Sequence, residues 1–315
     1  MLPLDPRFWS DTTPTTMIQN TNDGTIASPY LRTDFNMGNA WELPAWSKGP
    51  KDADGPAAKL QAIKAAGYRG IQGSPEEAVI AKSIGLPCTG GARFNKPEEL
   101  EPMIEPWLKA GYQAVTLHVG WGHEDDASVD RLVDTTVRMS AKYKLPLYIE
   151  THRATITQDT WRTVQFTKRN PEVRFNADFS HWYTGLEMWY GDLNEKLDFL
   201  APVFERVRFL HARCGNSSHI QVPLADPSMK AAMETFREMW TRSMAGFLRT
   251  AKPGDFVSFN PELLPASINY ARNIPGPDGA LREESDRWTE ALQLTAVAKE
   301  CFTAAQQRVA AAAKG

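Results

Sequence analysis

Three acidic residues and one histidine occupy similar positions in this chain of 315 residues, each at the downstream end of a short apolar run. The runs are PLYIE ending at Glu150, VRFNAD ending at Asp178, RVRFLH ending at His211 and DFVSFNPE ending at Glu262. Such runs are typical of buried strands. Three carboxylates and one imidazole suit Mn²⁺, Mg²⁺ or Co²⁺ and, less exclusively, Zn²⁺. We therefore predict one metal site built from the ends of four strands.

The spacing of these residues fits a regular alternation of helices and strands. Glu150 and Asp178 are 28 residues apart, and Asp178 and His211 are 33 apart, so each interval holds one helix and one strand. The interval from His211 to Glu262 is 51 residues, which accommodates a loop at 211–227 and a long helix.

The same alternation extends over the chain from residue 57 onwards. Helices are predicted at about 57–66, 74–85, 96–111, 128–143, 159–168, 193–204, 228–249 and from 283. Strands are predicted at 68–73, 86–94 and 112–120, at the four runs above, and at TTMIQN, residues 15–20. Eight such units indicate an α/β fold, a (β/α)8 TIM barrel, whose active sites lie at the C-terminal strand ends. No G-x-G-x-x-G follows the first strand, which argues against a doubly wound open sheet.

We expect residues 1–315 to form one barrel domain with a long loop after the first strand. Residues 21–56 are rich in Asn, Gly and Pro and contain Trp41 and Trp46. Loops of this length inside a compact domain are usually functional or mobile. We interpret this segment as a lid over the barrel mouth, with a surface excursion or a subunit contact as the alternative.

Composition excludes several classes of protein. The net charge of −3 argues against a dedicated nucleic-acid binder, which usually has a basic excess. The N-terminus has no basic region followed by an apolar stretch, and no apolar run approaches the roughly 18 residues of a membrane span. We expect a cytoplasmic protein. The three cysteines, Cys88, Cys214 and Cys301, are far apart and indicate neither a disulfide framework nor a zinc ribbon.

The strand-end residues resemble those of the xylose isomerase-like TIM barrels. This superfamily holds ketose 3-epimerases, hydroxypyruvate isomerase, inosose dehydratase and endonuclease IV. The resemblance rests on YIETHR with Glu150, DFSH with Asp178 and His181, FLHAR with His211 and FNPELLP with Glu262. It implies that Glu150, Asp178, His211 and Glu262 bind one divalent metal ion, with Mn²⁺ favoured. It also implies that Glu150 and Glu262 move protons and that His181 contacts the substrate.

Some residues depart from the family's pattern. The epimerases carry a substrate-binding arginine several residues beyond the strand-seven histidine, whereas Arg213 lies only two residues beyond it. The chain has additional imidazoles at His118, His123 and His152 and a guanidinium at Arg153. Endonuclease IV-type members use extra histidines for a three-metal cluster, but the third strand, CTGGARF, offers none. We expect a mononuclear site, with Arg213, His118 and His152 as further substrate-binding residues.

The leading interpretation is a metal-dependent sugar isomerase or epimerase, which moves a proton next to a carbonyl through an enediolate. Trp41, Trp46, Trp121 or Trp182 would stack on an apolar sugar face. The absence of a Gly-rich loop after strands seven and eight argues against a strongly phosphorylated substrate. The alternative is a lyase, either a dehydratase or a subunit of an enzyme that cleaves 3-oxo-C-glycosides, with an additional histidine as its base.

Two other classes fit less well. A phosphodiesterase acting on abasic DNA is disfavoured by the acidic balance and the incomplete histidine set. A non-catalytic barrel is disfavoured because all four ligand types are retained. The expected partner is a small sugar or glycoside substrate, with no nucleic acid and no membrane, and the sequence leaves a homo-oligomer or a partner subunit open.

Overall fold

The computed structural model describes residues 17–313 and contains a closed barrel of eight parallel strands. Neighbouring strands pair in chain order, and the last strand pairs with the first to close the barrel. The strands are Tyr30–Asn36 (β1), Gly70–Gln72 (β2), Cys88–Phe94 (β3), Val115–Val119 (β4), Leu147–Glu150 (β5), Phe175–Asp178 (β6), Val207–Ala212 (β7) and Phe256–Pro261 (β8). The prediction of a (β/α)8 TIM barrel is confirmed.

Helices surround the barrel, and the main hydrophobic core lies between them and the strands. The helices are Gly55–Ala65 (α1), Pro75–Ser83 (α2), Pro97–Ala110 (α3), Asp126–Tyr143 (α4), Thr160–Arg169 (α5), Ser180–Gly185 (α6), Leu193–Phe199 (α7), Ala201–Phe204 (α8), Met229–Leu248 (α9) and Arg287–Ala312 (α10). Sequence patterns did not predict α6 or a hairpin after β8, formed by Asn273–Pro275 (β9) and Leu281–Glu283 (β10). Within residues 17–313, no helix combines the length and the apolar character that crossing a membrane requires.

The prediction of a first strand at residues 15–20 is wrong. Its first two residues lie outside the described part of the chain, and the others have no regular secondary structure. The first strand is β1, which pairs with β2 and β8. Its sequence conceals a buried strand because Arg32 and Asp34 are charged. They are nevertheless buried, since Arg32 Nη2 lies 2.7 Å from Asp34 Oδ2 in an ion pair.

The segment before β1 runs along the end of the barrel at which the strands begin. Ile18 is buried, and its N–H donates to the carbonyl of Glu172 at 3.2 Å. Asn22 forms a bridge with Asp255, which directly precedes β8. The lid interpretation is therefore wrong for residues 21–36, because they lie at this end of the barrel and then form β1.

The loop after β1 is held against the start of α10. Arg287 Nη1 donates to the carbonyls of Gly38 at 3.1 Å and Asn39 at 2.9 Å. Ser47 Oγ donates to Asp286 Oδ1 at 2.6 Å. These contacts anchor the loop at two points.

Two aromatic rings show which side chains face the inside of the barrel. The rings of Tyr148 on β5 and Phe209 on β7 lie 6.4 Å apart, although β6 separates their strands. Both rings therefore point inward. Because side chains alternate along a strand, Glu150 and His211, each two residues further on, also point into the interior.

A buried carboxyl on α10 makes stability depend on pH. Glu290 Oε1 accepts the backbone N–H of Leu224 at 2.9 Å, and burial raises the pKa of Glu290 to about 7 from an ordinary value of 4.5. The folded state therefore keeps a proton on Glu290 that the unfolded chain loses more readily. The free energy of unfolding contributed by Glu290 falls as the pH rises from 4.5 to about 7.

Glu290→Gln should raise the free energy of unfolding because the neutral amide keeps the acceptor and removes the buried charge. The gain should be about 1–3 kcal/mol at pH 8 and much smaller at pH 5. Urea denaturation at both pH values measures it, with the exposed Glu234→Gln as control. An equal gain at both pH values would refute the titration of Glu290.

Candidate functional site

The C-terminal mouth of the barrel holds all four predicted metal ligands. Glu150 and Asp178 end β5 and β6, His211 lies near the end of β7, and Glu262 directly follows β8. Asp178 and His211 are register partners on neighbouring strands. The strand ends therefore bring together residues that are far apart in the sequence.

Glu150 lies at the centre of this mouth. Its Oε1 is 3.1 Å from His118 Nε2, its Oε2 is 3.3 Å from His211 Nδ1, and Asn176 Nδ2 donates to Oε2 at 2.8 Å. Burial raises the pKa of Glu150, but the charges of His211 and His118 outweigh it and hold the pKa well below its ordinary value. Glu150 is therefore a carboxylate, although only 2% of it is exposed.

His211 presents one ring nitrogen to the carboxylates. Its Nε2 lies 2.6 Å from Gln72 Oε1, an acceptor, so Nε2 carries a hydrogen there. Its Nδ1 lies 3.3 Å from Glu150 Oε2 and 3.4 Å from Glu262 Oε2. Burial lowers the pKa of His211, but Glu262 and Glu150 raise it to about 9. Nδ1 thus holds a proton at a point where a metal ion would compete with it.

Glu150, His211 and Glu262 fit a divalent metal ion. Each offers a ligand atom, and these atoms lie within 4.8 Å of one another. Ligands held about 2.0–2.2 Å from one ion are about 3–4.4 Å apart in tetrahedral or octahedral geometry. The distances from His211 Nδ1 to the two carboxylates, 3.3 and 3.4 Å, lie in this range. Two carboxylates and one imidazole also provide the donor types that such ions prefer.

Asp178 is bound by Arg213. Nη2 of Arg213 donates to Asp178 Oδ2 and, at 3.0 Å, to Glu262 Oε2. Burial raises the pKa of Asp178, but the charge of Arg213 holds it well below its ordinary value. Asp178 belongs to a second group with Glu150 and His181, which shares Glu150 with the first group. The four predicted ligands thus share one mouth but divide between two overlapping groups.

Glu262 differs from Glu150 in its surroundings. Its side chain is 14% exposed, and Asn36 Nδ2 donates to its Oε1 at 3.0 Å. Burial raises the pKa of Glu262, against the opposing charges of His211 and Arg213. One carboxylate is therefore enclosed and ionised, while the other is partly open and protonates more easily.

The predicted substrate-binding histidines form a row beside Glu150. The ring centroids of His118 and His152 are 4.1 Å apart, and those of His152 and His181 are 3.7 Å apart. Burial lowers the pKa of His152 to about 3, so this ring is neutral at neutral pH. The side chain of His118 is 33% exposed, whereas that of His181 is fully enclosed. His118 therefore lies at the open end of the row.

No family model matches this sequence, and no curated protein matches it either. The chain is similar in structure to a xylose isomerase domain protein from Alicyclobacillus acidocaldarius subsp. acidocaldarius, with 13% identity, 88% of this chain and 99% of that one covered, and a TM-score of 0.52. It is also similar to a xylose isomerase-like TIM barrel protein from Mycobacterium smegmatis in complex with magnesium, with 14% identity, 87% and 97% covered, and a TM-score of 0.51. This chain has the fold of the xylose isomerase-like TIM barrels. The resemblance inferred from the strand ends is confirmed for the fold.

A 3-keto-D-glucoside 4-epimerase from E. coli is a more distant structural match to this chain. It has 12% identity, 85% of this chain and 98% of that one covered, and a TM-score of 0.47.

Sequence patterns did not identify three amide side chains that line the mouth of the barrel. Asn36 and Gln72 contact Glu262 and His211, respectively, and Asn176 contacts Glu150. Asn36 ends β1, which the sequence patterns did not reveal, whereas Gln72 ends β2, within the predicted strand at 68–73, but was not considered because its side chain is not acidic. Asn176 lies two residues before Asp178, and strand alternation places it on the same face.

The four tryptophans proposed for sugar stacking differ in exposure. Trp182 is fully buried, and its Nε1 donates to the carbonyl of Thr157 at 2.7 Å, so its assignment to sugar stacking is wrong. Trp41, Trp46 and Trp121 are each about half exposed. Part of each side chain is therefore accessible to a ligand or a partner, although the guanidinium carbon of Arg93 already lies 4.5 Å from the centroid of the Trp121 ring.

Arg213→Met should destabilise the fold because Asp178 and Glu262 would lose the cation that they share. Breaking a buried ion pair costs about 3–5 kcal/mol, and a loss of this size is expected in metal-free buffer. The control is Arg138→Met, whose ion pair with Asp134 is exposed and worth less than about 1 kcal/mol. Urea denaturation followed by tryptophan fluorescence compares them. Similar losses for the two variants would disprove the role of Arg213.

Proposed function

We propose that this protein is a divalent-metal-dependent enzyme that moves a proton next to the carbonyl of a sugar, as an isomerase or an epimerase. The observation that carries the proposal is the convergence of Glu150, His211 and Glu262 within 4.8 Å of one another at the mouth of the barrel. Catalytic sites of TIM barrels lie at this end. The magnesium complex of the relative from Mycobacterium smegmatis is consistent with a divalent ion in a barrel of this fold.

Glu150, His211 and Glu262 would hold one ion, for which we propose Mn²⁺. Asp178 is the proposed fourth ligand, and Arg213 competes with the ion for it, since the guanidinium binds the same carboxylate. A bound divalent ion supplies Lewis-acid stabilisation of negative charge on substrate oxygens.

The two glutamates would carry the proton. Glu262 is the better first acceptor because it is partly open and its pKa is raised, which brings a base closer to the working pH. Glu150 is ionised, lies beside the partly exposed ring of His118 and would take part in the return of the proton. Two carboxylates with opposite pKa shifts are suited to different steps of one proton transfer.

The remaining predicted residues would orient the substrate. His118 and His152 line the mouth next to Glu150, and Arg213 offers a guanidinium beside Glu262. His152 is neutral, so it would hydrogen-bond a sugar hydroxyl without adding charge. His181 is fully enclosed behind His152, so it would act on the substrate only by holding that ring in place.

Titration of the metal-stripped protein with Mn²⁺ tests this proposal. Calorimetry should show one ion per chain, and Glu262→Gln should weaken binding at least about tenfold because one carboxylate ligand is lost. Wild-type protein with Mn²⁺ should incorporate deuterium from D₂O into one member of a ketose panel, and Glu262→Gln should lose this exchange. Glu234→Gln, an exposed change on α9, is the control. Deuterium exchange by Glu262→Gln at the wild-type level would contradict the proposal.

A lyase is the second candidate, and the row of three imidazoles favours it. His152 is a neutral imidazole between two other rings and beside Glu150, which suits a base that removes a proton before a group leaves. Incubation with 3-oxo-glycosides separates the two reactions. An enone or a released aglycone without interconverted sugars supports the lyase, and interconverted sugars alone exclude it.

A further inference from the structure

A cavity of about 400 Å³ lies next to Tyr270, in the loop that follows β8. Its wall includes the side chains of Arg153, His219 and Arg272, and none of its lining residues within the described chain is an aspartate or a glutamate. The described part of the lining therefore offers basic side chains and no acidic one to whatever enters the cavity.

Arg153 is the unusual member of this wall. Arg272 is already neutralised, since its side chain lies 3.2 Å from Asp226 Oδ2 and 2.5 Å from Glu284 Oε1. Arg153 is exposed and has no carboxylate within 4.0 Å among residues 17–313. A guanidinium without an acidic partner in a cavity is available to an anion from outside.

Tyr270 connects this cavity to the candidate site. The guanidinium carbon of Arg213 lies 4.4 Å from the centroid of the Tyr270 ring, and that of Arg153 lies 5.8 Å from it. The sum of these distances, about 10 Å, is an upper bound on the separation of the two guanidinium carbons. The Tyr270 ring therefore separates the cavity from Arg213 over a distance comparable to one sugar ring with a single substituent.

We infer that the cavity is an anion subsite in which Arg153 binds the carboxylate of an acidic sugar. The position of the reacting centre relative to this subsite rests on the proposed function, whereas the existence of the subsite does not. One planar guanidinium matches a carboxylate with two parallel hydrogen bonds. Phosphate sites in barrels instead use the backbone N–H groups of Gly-rich loops, which the segments after β7 and β8 do not provide.

Binding of sugar probes to the full-length protein, with and without Mn²⁺, tests the subsite. The probes are D-glucuronate and D-galacturonate against D-glucose and D-galactose. Wild type should bind at least one uronate at least tenfold more tightly than its neutral partner, and Arg153→Met should abolish this preference. Arg153→Lys should keep only part of this preference because an ammonium lacks the two parallel N–H donors with which a guanidinium binds a carboxylate. Arg249→Met, at the C-terminal end of α9, should keep the preference.

The outcomes separate this inference from the proposed function. The subsite is refuted if wild type binds neither uronate more tightly than its neutral partner, or if Arg153→Met keeps the preference for a uronate. Tighter binding of D-glucose 6-phosphate than of D-glucuronate, lost in Arg153→Met, would overturn the assignment to a carboxylate. Unchanged thermal stability and Mn²⁺ binding of Arg153→Met would show that the variant is folded. Failure of the proposed function would instead appear as absent Mn²⁺ binding or absent deuterium exchange in wild type.

Discussion

Charge compensation inside the barrel mouth is the constraint on which the rest of the site depends. Closure of the barrel brings Glu150, Asp178 and Glu262 together in a space largely closed to water, where carboxylates without a cation are unstable. His211 and Arg213 supply the positive charge between them. A divalent ion would have to displace the proton of His211 at this point, and it would share the negative charge of Asp178 and Glu262 with Arg213.

Arg213 links this compensation to substrate recognition. Its guanidinium contacts Asp178 and Glu262 on one side and lies over the ring of Tyr270 on the other. Tyr270 in turn lines the cavity that contains Arg153. Tyr270 therefore lies between the guanidinium that pairs with the acidic residues of the mouth and the guanidinium that faces the cavity.

The sequence revealed the site more readily than the strand that closes the barrel. The acids and His211 stood out because each ends an apolar run, whereas β1 was hidden by Arg32 and Asp34, which neutralise each other inside the protein. The inward orientation of Arg213 was available from its spacing, since it lies two residues beyond His211. Its ion pair with Asp178 was not available, because that contact depends on the register of β6 against β7.

Anomalous diffraction from crystals soaked in Mn²⁺ tests the convergence of these side chains most directly. We predict one peak per chain at the mouth of the barrel, within bonding distance of Glu150, His211 and Glu262. A peak bound only by His118 and His152, or no peak at this end of the barrel, would contradict a single cation site built from the strand ends.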